Sequence, residues 1–157
     1  FTPFQGLEMM AQMLLGDVRP LIERDGYITV HEPAAGAGGM VLACANVLQS
    51  EGFDPALTML VHAVDISQFA YHMSYLQLTW RGVSAYVERG NSLSLEHFEG
   101  AWTVNALAFE EHHGHLSFEK SYGLEEVATE AENNSKSKSI RQELQKESPL
   151  LQLKFWD

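Results

Sequence analysis

Hydrophobic and polar positions alternate along this chain with two periods, about 3.6 and about 2, which predict helices and strands in turn. Leu7, Met10, Ala11 and Leu14 recur at helical spacing and predict an amphipathic helix ending near Gly16. Ahead of them, Thr2 fits an N-cap, Pro3 the first helical position and Gln5 the reciprocal partner of a capping box. Residues 16–26, which include Arg19-Pro20, read as a loop or short helix leading into a strand. Tyr27-Ile-Thr-Val-His31 is a β-branched and aromatic run that predicts that strand, and Met40 to Leu48, apolar and Ala-rich, predicts a helix packed on a sheet. Turn residues at 51–55 precede Thr58 to Asp65, whose near-continuous apolar run is that of a parallel strand covered on both faces. Ser67 is the expected N-cap of the next helix, with Phe69, Ala70, Met73, Leu76 and Trp80 as its buried stripe and Gly82 as its stop. Ser84 to Glu88 predicts a third strand, Arg89 to Leu93 a turn, Ala101 to Phe109 a fourth strand, and Leu116 to Lys120 the return strand of a hairpin. Strands alternating with helices predict an α/β fold, a mainly parallel sheet with flanking helices and right-handed crossovers.

The pattern fails beyond Leu124. Glu125, Glu126, Glu130 and Glu132 precede Asn133-Asn-Ser-Lys-Ser-Lys-Ser139, a polar stretch without apolar periodicity. This divides the chain into a domain over 1–123, a polar linker or disordered segment over 124–139, and a short helix with an apolar tail over 140–157. The tail, Pro149 to Trp156, is too hydrophobic to stay free in water and is expected to dock on this domain or on a partner, which makes it the natural route to an oligomer.

Composition narrows the class. A chain of 157 residues with 45% hydrophobic and 20% charged residues suits one globular domain with a sizeable core. No apolar run approaches the roughly 20 residues that cross a bilayer, and no signal peptide is visible, so no membrane partner is expected. Cys44 is the single cysteine and sits on the apolar side of its helix, where it reads as a small buried hydrophobe in a reducing, cytoplasmic setting. The chain opens on Phe1 rather than Met, as expected of a piece of a longer one. A formal net charge of −11 argues against strong nucleic-acid binding by this piece alone, because affinity for a phosphate backbone needs a basic surface.

Candidate chemistry centres on Glu32-Pro-Ala-Ala-Gly-Ala-Gly-Gly-Met40, a Gly-rich turn between a predicted strand and a predicted helix. Such a turn brings backbone N–H groups and a helix N-terminus up to a nucleotide-like ligand, and Gly36, Gly38 and Gly39 leave room where side chains would block it. Alone it is weak, since many tight strand-to-helix turns bind nothing. Asp65, at the end of the second strand and about 25–30 residues further on, suits a ribose diol. Asn91 and Ser92 lie where the carboxyl end of a third strand faces the same crevice. His112, His113 and His115 match no common zinc spacing and no Cys or second His pair complements them, so they read as a loop with exposed histidines and no metal is expected.

Taken in order, these stretches resemble the cofactor-binding half of the adenine-N6 DNA methyltransferases, the branch that includes modification subunits of restriction systems. Phe1-Thr2-Pro3 resembles that family's F-T-P motif, and Glu32 to Met40 its D-P-A-C-G-T-G-G-F loop, with Glu for Asp and Ala for Cys. Val64-Asp65-Ile66 is similar to its acidic ribose motif, and Gly90-Asn91-Ser92-Leu93 to its G-D-x-L turn, with Asn for Asp. The resemblance covers about residues 1–110. It implies a Rossmann-like S-adenosylmethionine-dependent methyltransferase fold, here truncated. It further implies that S-adenosylmethionine is the cofactor, held by Thr2, Pro3, Glu32, Pro33, Ala34, Gly36, Gly38, Gly39, Met40, Asp65, Ile66, Asn91 and Ser92.

One departure bears on activity. The family's catalytic motif is N/D-P-P-aromatic, whose polar side chain and proline carbonyl hold the amine of a flipped adenine while the ring stacks on the base. Downstream of Asn91 this chain has only Pro149 and no Pro-Pro pair; the positional candidate is Asn105-Ala-Leu-Ala108, with Phe109 one place later. Three functions follow from the resemblance. One is an adenine-N6 DNA methyltransferase using Asn105 as a weakened amine acceptor, with DNA held through other segments or a partner subunit. The second is a non-catalytic methyltransferase-like binding module. The third is a small-molecule methyltransferase.

Overall fold

In a computed structural model, residues 3–116 and residue 118 are described. They form α1 (Phe4–Leu15), α2 (Arg19–Asp25), β1 (Ile28–Glu32), α3 (Gly39–Ser50), α4 (Pro55–Thr58), β2 (Met59–Asp65), α5 (Gln68–Trp80), β3 (Ser84–Asn91), β4 (Glu96–Trp102) and α6 (Ala106–His113). The expectations for 124–139 and 140–157 lie outside these residues, as does the proposed hairpin return over 116–120 except for its residues 116 and 118.

The four strands make one open sheet in the order β1-β2-β3-β4, parallel through β3, with β4 antiparallel at the edge. This is an α/β architecture with a mostly parallel sheet flanked by helices, compatible with a Rossmann-like fold. Strand alternation sorts the core onto two faces. Met59, Val61 and Ala63 of β2, with Ala85 and Val87 of β3, face a core built with Val41, Cys44, Ala45 and Leu48 of α3 and Leu78 of α5. Leu60 points the other way and packs with Tyr27 and Phe109, the latter from α6. That two-sided burial is why 59–64 reads as a near-continuous apolar run, interrupted only by His62.

Polar side chains fasten the helical layer. Asn46 of α3 donates to Glu8 of α1 across 3.1 Å and accepts from Arg81, just past α5, at 2.6 Å and 3.2 Å. Cys44 is buried within this layer, and burial pushes its thiol up to about 11.

Four local expectations are corrected. The N-cap of α1 is Pro3, with no side-chain cap, rather than Thr2, which lies outside the described residues. On α1, Ala11 is buried and Leu7 and Leu15 pack on the core, whereas Met10 and Leu14 are exposed. On α5, the buried positions are Tyr71, Ser74 and Leu78, while Phe69, Leu76 and Trp80 face outward, Trp80 at 90% exposure. Both helices carry apolar residues on two sides, so helical spacing alone does not say which side meets the sheet. Finally, the fourth strand is Glu96–Trp102, not 101–109; Thr103 ends it by donating its N–H to the Ala85 carbonyl, and the chain then turns into α6.

Candidate functional site

The carboxyl ends of β1, β2 and β3 share one rim of the sheet because the three strands run parallel and in register, Glu32 beside Ala63 and Asp65 beside Arg89. The Gly-rich turn leaves β1 at this rim. Its backbone is pinned to β2 twice: the Ala35 N–H donates to the Val64 carbonyl at 2.8 Å, and the Gly36 N–H donates to Asp65 Oδ2 at 2.8 Å. Gly38 closes the turn by donating to the Ala35 carbonyl at 2.7 Å, and its φ of 85° is one that few side chains tolerate.

The three glycines serve different ends. A Cβ on Gly39 would stand 3.0 Å from Leu7 Cδ1, so that position lets α1 press onto the start of α3. A Cβ on Gly38 would meet Leu78 of α5 at 3.5 Å. Gly36, at φ 55°, has no other heavy atom within 4 Å of such a carbon. The turn is therefore packed on its helix side and open at Gly36.

Asp65 is the hub of the rim. Its Oδ1 accepts the Ser67 N–H at 2.8 Å while Oδ2 accepts from Gly36, so one carboxylate fixes both the glycine turn and the entry to α5. Each oxygen keeps acceptor capacity beyond these bonds. Ile66 beside it is exposed, offering an apolar face. On β1, Glu32 Oε1 accepts the Ala34 N–H at 3.2 Å. From β3, Ser92 Oγ donates to the Pro33 carbonyl at 2.8 Å, which straps the β3–β4 turn to the glycine turn. Asn91 shapes that turn, its Oδ1 accepting the N–H groups of Leu93 and Ser94. Met40, in the first turn of α3, packs on the core and stays partly exposed.

The structure thus brings Glu32, Pro33, Ala34, Gly36, Asp65, Ile66, Asn91 and Ser92 to one rim, with Gly38 and Gly39 in the supporting layer. Asn105 is elsewhere. It precedes α6 as N-cap, its Nδ2 donates to the Thr79 carbonyl at 2.9 Å, and its carbonyl accepts from Ser84 Oγ at 3.0 Å. Ser84 opens β3, so Asn105 sits at the amino ends of the parallel strands, one strand length from the rim.

Of the three histidines, His112 is exposed, as expected, while His113 and His115 are partly buried and only His115 lies beyond α6. His112 and His113 end α6; His113 Nε2 donates to the Leu57 carbonyl at 2.7 Å, and His115 Nε2 lies 3.1 Å from the Tyr27 hydroxyl. His113 and His115 thus fasten the end of α6. A different set of titratable groups emerges on the sheet face opposite α3 and α5, where His31 and His62 are register partners with ring centroids 4.9 Å apart. Glu88 of β3 bonds His62 at 2.8 Å and His97 of β4 at 2.9 Å. No spacing along the chain marks this row, although residues 31 and 62 hold the same place in two strands predicted to be parallel neighbours. Among the described residues no group of three or more His, Cys, Asp or Glu side chains has the geometry to hold a metal ion.

No model of a known protein family matches this chain, and comparison with curated proteins gives no match.

Proposed function

We propose that this domain binds S-adenosylmethionine, or its demethylated product, at the rim formed by the carboxyl ends of β1, β2 and β3. The observation that carries the reading is the Gly36–Asp65 junction. It sets an open glycine turn against a carboxylate that retains acceptor capacity. A ribose diol is the natural donor to such a carboxylate, and the exposed side chain of Ile66 gives an adjoining apolar surface for a purine ring. Glu32 supplies a second carboxylate on the β1 side, suited to the ammonium of an amino-acid moiety. The group so held would present an electrophilic methyl on a sulfonium. What this chain's residues contribute is binding and orientation.

The same geometry favours a binding module over a self-sufficient DNA methyltransferase. Asn105, the positional candidate for the amine acceptor, is committed to the Thr79 carbonyl at the opposite end of the sheet. In-line methyl transfer depends on the acceptor being held against the methyl carbon, and misplacement on the scale of one ångström already costs orders of magnitude in rate. Titration calorimetry of the purified chain with S-adenosylmethionine and S-adenosylhomocysteine tests the reading. Saturable heat with either ligand, reduced in Asp65→Ala, is expected; no saturation up to millimolar ligand overturns it.

A further inference from the structure

The row of ionisable groups lies on the sheet face that carries Leu60 and Phe109, with the Phe118 ring 5.6 Å from that of His62. Glu88 sits in β3 three residues before Asn91, and its carboxylate is held from both sides: His62 Nε2 donates from β2 at 2.8 Å, and His97 Nδ1 of β4 stands 2.9 Å from the other oxygen. The grip spans three strands at the one place where the β3–β4 ladder loses its regular register, between Arg89 and Gly90. Gly90 makes the room. A Cβ there would stand 2.9 Å from Glu88 Oε1 and 2.8 Å from the Glu96 carbonyl. The carboxylate therefore fills the hollow beside the irregularity and ties its two strands to β2. Beyond it, Asn91 and Ser92 complete the rim through the Ser92–Pro33 bond.

We propose that His62, Glu88 and His97 form a proton-sensitive clamp that holds the β3–β4 hairpin in place, and that ligand affinity at the rim follows the state of this clamp. The second half rests on the rim being the binding site proposed above. Imidazole is the side chain whose charge ordinarily changes between pH 5 and 8. When protonated, each ring donates from either nitrogen and attracts the carboxylate by charge. When neutral, each has one N–H, which must lie on the nitrogen facing Glu88 for the bond to survive.

Other groups face the clamp. His31 of β1 stands beside His62, Glu32 adds negative charge on that strand, and the Tyr86 ring of β3 lies 5.7 Å from the His62 ring. Burial, and the neighbouring His62, hold the His31 imidazole below its usual range.

Hydrogen exchange of the hairpin amides and ligand titration of the same samples, at pH 6 and pH 8, test the clamp. After correction for intrinsic exchange, protection over residues 88–94 is expected to be about fivefold higher at pH 6, as suits a partly exposed ion pair. The dependence is expected to shrink by half or more in His97→Gln, an exposed edge-strand change that folding tolerates, and to vanish in Glu88→Gln. Ligand affinity is expected to follow the same order. Protection that is equal at the two pH values in the unaltered chain, or a dependence that survives in both variants, overturns the clamp. A pH-dependent hairpin with no ligand binding at either pH keeps the clamp and defeats the binding reading. Ligand affinity indifferent to pH while protection changes separates the two and overturns the coupling.

Discussion

The Gly36 N–H donates to the Asp65 carboxylate across 2.8 Å, joining the turn after β1 to the end of β2. Since the other Asp65 oxygen holds the Ser67 N–H, removing the carboxylate frees two backbone donors at once. Asp65→Ala is expected to lower folding stability by about 1.5–3 kcal/mol, the range for hydrogen bonds to a charged acceptor. It is also expected to weaken ligand binding at the rim by at least tenfold. Urea unfolding and calorimetry on the same sample check both; a variant as stable as the parent removes Asp65 from its place as hub.

Gly100 of β4 lies beneath the Tyr86 ring, and a Cβ at that position would overlap the phenol oxygen and ring carbon of Tyr86. The ring has little freedom to leave, for Trp102 stands 5.1 Å from it and His62 5.7 Å. Gly100→Ala should cost about 1–3 kcal/mol by overpacking. Made in a Tyr86→Ser background, where the clash is gone, Gly100→Ala should add little further cost. A denaturant series on the single and double variants decides it.

Burial works to raise the Glu88 carboxyl, but the bonds and charge it receives from His97 and His62 outweigh this and hold it below the usual carboxylate range. A carboxyl depressed in the folded state adds stability above its unfolded value and loses it as pH falls through the folded one. Between about pH 5 and pH 3, the parent chain should lose stability faster than Glu88→Gln. Unfolding midpoints measured at half-unit pH steps test the sign; parallel curves exclude a contribution from Glu88.

Two substitutions on α5 report which side of the helix meets the sheet. Leu78 is fully buried, and Leu78→Ala should cost about 2–5 kcal/mol. Trp80, two positions on, is exposed, and Trp80→Gln should change stability by no more than about 0.5 kcal/mol. Chemical denaturation of the two variants separates them, and comparable losses would place the outer stripe in a packed layer.

Asn105→Ala removes a hydrogen bond to the Thr79 carbonyl and should lower stability by about 1 kcal/mol. Ligand affinity should stay as it was. Transfer of labelled methyl groups to adenine-containing single- and double-stranded DNA should remain at background in the parent chain and in the variant alike. Incorporation that depends on Asn105 would restore the enzyme reading.

Much of this architecture is legible in the residues. Ile28 to Glu32 and Met59 to Asp65 announce themselves because β-branched and apolar runs bounded by turn residues have few other solutions. Ser67 caps α5 as its position suggests, its Oγ accepting the Ala70 N–H. The rim was legible for the same reason: Gly36 and Asp65 stand at strand ends, and parallel strands bring their ends together. Other features depend on partners far along the chain. Apolar residues on both sides of α5 left the choice of buried side to Gly38 and the sheet, which local spacing does not encode. Residues 101–109 have strand-like composition, yet Thr103 bonds back to β3, with its Oγ1 donating to the Val83 carbonyl and accepting the Ala85 N–H, and that ends the strand. The His62–Glu88–His97 row needs the register of three strands at once.

The linear order of the sheet bears on how the chain reaches this state. Every described strand pairs with its neighbour in sequence, so none of these strands has to be threaded between two already placed. The β3–β4 hairpin closes over a turn of a few residues, the smallest loop-closure cost in the sheet, and β2 and β1 each join across a single crossover. Folding rates rise when contacts are close in sequence. During synthesis the strands can be added in the order in which they are made, each completed strand being the template for the one that follows.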